Sequence, residues 1–105
     1  MELKDTGFIT IDKGNTQKVK GALLHYDEID RTLLVHEDVD NKNNSSVTDS
    51  VTGYRLFSIP QKISILKKEQ VDEYLNNFIK HYTLEEIAKE FKRIEELPKE
   101  ERKKK

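Results

Sequence analysis

No cysteine occurs in this chain of 105 residues. That absence removes a disulfide framework, thiolate metal ligation and a cysteine nucleophile. No apolar run approaches the length that spans a bilayer, and the opening MELKDTGF has no apolar signal core. The expectation is a cytoplasmic protein with no membrane partner. Four scattered glycines serve turns, and none forms a loop that would cradle phosphate. No GxSxG element and no meaningful Ser-His-Asp spacing is present. With 19 basic and 20 acidic residues the formal charge is −1, so the basic footprint of a DNA-coating protein is missing. A local basic patch remains compatible with that balance.

Metal and acid–base chemistry are equally thin. The three histidines, His25, His36 and His81, have no ligand spacing among them. DVDNKNNSSVTD at 38–49 opens like a calcium loop, with Asp38 and Asp40 at its first and third positions. Lys42 then stands where a ligand belongs, Asn43 where the turn glycine belongs, and Asp49 where the bidentate glutamate belongs. A solvated hairpin loop is the better reading. The pairs Glu85/Glu86, Glu95/Glu96 and Glu100/Glu101 fall on exposed helix surface by periodicity. These observations lead us to expect no cofactor, no metal and no enzyme.

What the chain does have is residues 17–37, QKVKGALLHYDEIDRTLLVHE, with apolar residues dense on both sides of a polar turn. This reads as a long β-hairpin, strands 16–26 and 32–38. Centring the turn on Ile29 pairs Leu24 with Leu34, Leu23 with Val35 and His25 with Leu33. His25 and His36 then face opposite sides. Both faces are substantially apolar, so both need cover: a barrel interior on one side, helices or a second subunit on the other. A one-residue shift would exchange faces and leave that conclusion intact.

The remaining strands follow from alternation. GFITID at 7–12 reads as the first strand, with a DKGN turn after it, GYRLFSI at 53–59 as the fourth and KISIL at 62–66 as the fifth. Residues 39–52 carry no periodicity and read as a loop. The period then changes. Val71, Tyr74, Leu75, Phe78, Ile79 and Tyr82 make one helical stripe. Thr83 with Glu86 forms a capping box, Tyr82 with Ile87 a staple, and a second helix runs from Leu84 with stripe Leu84, Ile87, Ala88, Phe91 and Ile94. Pro98 ends it, and 99–105 form a charged tail. YTLEEIAKEF at 82–91 looks like the opening helix of helix-turn-helix DNA readers, but no glycine turn or recognition helix follows.

KVKGALLHYDEIDRTLLV at 18–35 resembles the strand–turn–strand of Sm-like and related small barrels, with Gly21, Asp27 and Leu33 at similar places. The family's turn asparagine falls at Arg31, and its late arginine-glycine pair is missing, since Arg55 precedes Leu56. The resemblance implies a five-stranded barrel-like sheet.

The expected architecture is α+β: a single domain over 1–98, with five antiparallel strands in a small, partly open barrel (6–66) and two C-terminal helices (68–97). The expected role is non-enzymatic binding by a small homo-oligomer. Tyr74, Leu75, Phe78, Ile79, Tyr82, Ile87 and Phe91 are the helix-packing or oligomer surface. The alternative is a binder of RNA, single-stranded DNA or a nucleotide through Lys18, Lys20, Tyr26, Arg31, Tyr54 and Lys62. A short, cysteine-free chain rich in Lys, Asn and Glu suits an accessory protein of a phage or mobile element.

Overall fold

A computed structural model describes residues 1–11 and 15–95, without the side chains of Leu84 and Ile94. Most of the DKGN turn, the Pro98 stop and the charged tail lie outside the described residues. The chain forms β1 (Asp5–Thr10), β2 (Thr16–Tyr26), β3 (Arg31–Glu37), β4 (Ser45–Asp49) and β5 (Arg55–Ile59), followed by α1 (Lys68–His81) and α2 (Leu84–Glu95). The strands make one antiparallel meander in the order β1-β2-β3-β4-β5. The α+β class, an antiparallel sheet of five strands and the two closing helices are as expected, although the five strands are not all the expected ones. The sheet is not closed into a barrel.

Two strand assignments change. Residues 45–49, inside the expected 39–52 loop, are β4, a buried inner strand hidden by its polar composition, SSVTD. Residues 62–66, taken for a strand, form a helical turn in which the Ile65 and Leu66 N–H groups donate to the Lys62 carbonyl. The turn buries Ile63 and Leu66, three positions apart, and leaves Ile65 exposed.

The central hairpin turns on four residues, 27–30, with Asp30 in the left-handed region at φ 50°. Aspartate tolerates that conformation better than most residues. The pairing is therefore Tyr26 with Arg31, Leu24 with Leu33 and Leu23 with Leu34, one residue away from the expected register. His25 and His36 consequently share a face, opposite Thr32 and Gly21. They still sit four positions apart along the ladder, roughly 13 Å.

Each face has its own cover. On one, Leu33, Val35, Val47 and Ile59 pack with Leu66, Val71 and Leu75 under α1. On the other, the sheet curls over Leu34, which has no exposed surface. Glycine makes that curl possible. A Cβ on Gly7 would stand 2.7 Å from Leu34 Cδ2, and one on Gly21 would stand 2.5 Å from the Val35 carbonyl oxygen. The end of β1 reaches the β4–β5 turn, where the Thr10 N–H donates to the Gly53 carbonyl at 2.6 Å.

Gly21→Ala forces backbone apart, not merely a flexible side chain. We expect it to lower stability by about 1–3 kcal/mol. The check is urea denaturation, read as a fall in the midpoint at constant m.

Candidate functional site

The helices are fixed to the sheet by a small set of polar contacts. The Tyr26 hydroxyl donates to Asp72 Oδ1 at 2.7 Å, and Lys68 Nζ reaches the same carboxylate. Burial, reinforced by Asp72, pushes the Tyr26 hydroxyl above its ordinary pKa. Partial burial works against charge on Asp72, but the hydrogen bonds from Tyr26 and Lys68 outweigh it and hold its pKa down.

The second anchor is Arg31. Its Nε and Nη2 donate to the two oxygens of Asp49 at 3.0 and 2.6 Å, and its Nη1 donates to Glu95. The guanidinium also lies over the Phe91 ring, 4.4 Å from its centroid. One side chain at the start of β3 thus holds two residues of α2 against the sheet. Asp49 is fully buried and also accepts from the Thr52 N–H and hydroxyl.

Beside this anchor lies an apolar groove of about 540 Å³. Its walls are Tyr54 just before β5, Leu56 of β5, Phe78 from α1, and Ile87 and Phe91 from α2, with Tyr82 at the junction of the helices. Phe57, Phe78 and Tyr82 pack in series as tilted rings, with centroids 5.5 and 5.1 Å apart. Tyr74 joins Phe57 from the other side. The ladder runs outward to Tyr82, which is 49 % exposed. A Thr83 cap, whose hydroxyl accepts the Glu86 N–H at 3.1 Å, lets α2 begin directly after it. The reciprocal half of the expected capping box is replaced by a contact between the Thr83 and Glu86 side chains.

The expected helix-packing set therefore divides. Leu75, Ile87 and Phe91 are buried, Ile79 packs at the edge of the core, and Tyr74, Phe78 and Tyr82 form the ladder. The expected basic set does not gather. Tyr26 and Arg31 are engaged inside the fold. Tyr54 lines the groove, Lys62 sits in the turn after β5, and Lys18 and Lys20 lie on β2. Lys18 rests over the exposed Phe8 ring. His36, which sequence reasoning left without a role, is 2 % exposed. Its Nδ1 lies 2.8 Å from the Glu37 carbonyl, which can only accept, so Nδ1 carries the proton. Its Nε2 then accepts from the Thr48 hydroxyl at 2.8 Å. Desolvation is the main cause of its lowered pKa; the Glu37 carbonyl and Asp38 oppose the shift, and Arg55 adds to it.

Among the described residues, no group of three His, Asp or Glu side chains converges at metal-ligating geometry, and no helix is long and apolar enough to cross a membrane. Comparison with family models, curated proteins and solved structures gave no match.

The Arg31 anchor and the buried His36 each lead to a prediction. Arg31→Met strands the Asp49 carboxylate without its cation and should cost about 3–5 kcal/mol. Hydrogen exchange should show α2 amides losing protection before those of β2 and β3; equal loss everywhere would contradict a local anchor. For His36, the folded pKa lies below the ordinary 6.5, so the unfolded chain binds the proton first. Its contribution to stability is fully present above pH 6.5 and is lost as pH falls from there toward the folded value. Urea midpoints across that window should decline in the parent chain and decline less in His36→Gln.

Proposed function

We propose that the protein is a non-enzymatic interaction module that pairs with a second copy of itself across the aromatic groove and α2. The observation that carries this reading is the charge order on α2. Glu86, Lys89, Glu90 and Arg93 recur at i, i+3, i+4 and i+7, on one face of the helix. The first three border the groove. Read in the opposite direction, the signs are complementary to themselves. An antiparallel copy, related by a two-fold axis between residues 89 and 90, sets Glu86 against Arg93 and Lys89 against Glu90, each pair occurring twice. An isologous dimer requires such self-complementarity.

The arrangement has the anatomy of an interface. Tyr82, Phe78 and Tyr54 supply an aromatic centre, and the charges of α2 supply a polar rim. Exposed charge pairs contribute little affinity and act on register. The intrachain Glu90–Arg93 contact is exposed on both partners, so exchanging it for an interchain contact costs little. The nucleic-acid alternative has weaker support, because two of its six residues, Tyr26 and Arg31, already have partners within the fold.

Light scattering after size exclusion tests the reading. We expect a dimer at about 100 µM, the regime of a micromolar interface, and a folded monomer for Tyr82→Asp. Lys89→Glu should weaken the dimer, and Lys89→Glu with Glu90→Lys should restore it. A monomeric parent chain at that concentration would sink the proposal.

A further inference from the structure

The curled face of the sheet carries a second hollow, of about 520 Å³, away from the aromatic ladder. Its polar wall carries charge of both signs. Asp38 is 5 % exposed. Its Oδ1 accepts the Asp40 N–H at 2.9 Å, while its Oδ2 stands 3.7 Å from Arg55 Nη1, an ion pair longer than a hydrogen bond. That oxygen makes no hydrogen bond among the described residues. Ser46, 2 % exposed, also lines the hollow, and among the described residues its hydroxyl has no hydrogen-bond partner. His36 and Thr48, beside it, satisfy one another. One oxygen of a buried carboxylate and one buried hydroxyl thus lack hydrogen-bond partners among the described residues, next to a half-exposed guanidinium. Buried polar groups are ordinarily paired, so the arrangement calls for a ligand that completes it.

The charges restrict that ligand. A simple anion drawn to Arg55 meets Asp38 and Asp40. A simple cation drawn to Asp38 meets Arg55. A neutral hydrogen-bonding edge leaves both charges with only their long contact to one another. A molecule with adjacent positive and negative groups satisfies both at once. Ile9, Ile11 and Val39 supply an aliphatic side of the wall, with Thr10, Gln17 and Gly53 beside them. We propose that this hollow binds a free aliphatic α-amino acid. Its ammonium sits on Asp38 Oδ2, its carboxylate takes Arg55 and the Ser46 hydroxyl, and its side chain lies against the isoleucines. The hollow shares Arg55 with the rim of the aromatic groove; its other lining residues are distinct from those of the groove.

The test is titration calorimetry with thermal melting of the full chain against L-leucine, L-isoleucine and L-valine. Leucinamide, which lacks the carboxylate, and 4-methylpentanoate, which lacks the ammonium, are the controls. At least one amino acid should give saturable heat and raise the melting temperature at millimolar ligand. Both controls should bind about tenfold more weakly or worse, since each strips one charged contact. Asp38→Asn keeps an oxygen for the Asp40 N–H while losing the charge. It should fold by circular dichroism, dimerise as the parent does, and bind about tenfold more weakly. Absence of saturable binding by all three amino acids overturns the proposal. So does equal binding of either control, or undiminished binding by Asp38→Asn.

Discussion

A carboxylate with no exposed surface is costly unless its charge and lone pairs are met, and Asp49 meets that condition with four donors. Two come from Arg31 and two from Thr52. Three parts of the chain converge there as a result. Arg31 brings the end of the central hairpin, Thr52 brings the β4–β5 turn, and through Glu95 and Phe91 the same guanidinium brings α2. Burial opposes charge on Arg31, but its hydrogen bonds to Asp49 and Glu95 outweigh that and keep its pKa above the ordinary value. The ion pair is thus less a source of net stability than a device for position: removing one partner leaves a buried charge, while the intact pair fixes where α2 lies.

That logic also separates what was legible in the sequence from what was not. Periodicity found α1, α2, β2 and β3 because their apolar residues are numerous enough to show a period. It missed β4 because in SSVTD only Val47 is apolar. The other four side chains of β4 are buried all the same, three of them through bonds to partners distant in sequence: Ser45 to the Gln61 carbonyl, Thr48 to His36 and Asp49 to Arg31. A polar residue that is satisfied inside a protein looks, in one dimension, like a residue in water. KISIL failed in the opposite way. Ile63 and Ile65 alternate like a strand, but the residues that enter the core are Ile63 and Leu66.

The same ambiguity governs the side chains considered for binding. Tyr26 and Arg31 look like nucleic-acid contacts when only their type is known. In the fold they hold α1 and α2 to the sheet. Conversely, nothing in the local sequence marks His36 or Ser46, since the significance of each lies in burial against strands that pairing brings alongside. The hairpin register shows how fine the dependence is. With Asp30 left-handed the turn is one residue shorter than expected, and His36 moves from the face expected to be opposite His25 to the same one.

Arg55 is the point at which the two faces of the sheet meet. The register between β4 and β5 shifts between Val47 and Thr48, so β5 carries an extra residue, Leu56, between the positions opposite them. Leu56 lines the aromatic groove, while Arg55, opposite Thr48, borders both the groove and the charged hollow. A regular strand would direct neighbouring side chains cleanly to opposite faces. The bulge instead places one half-exposed guanidinium at the rim of each.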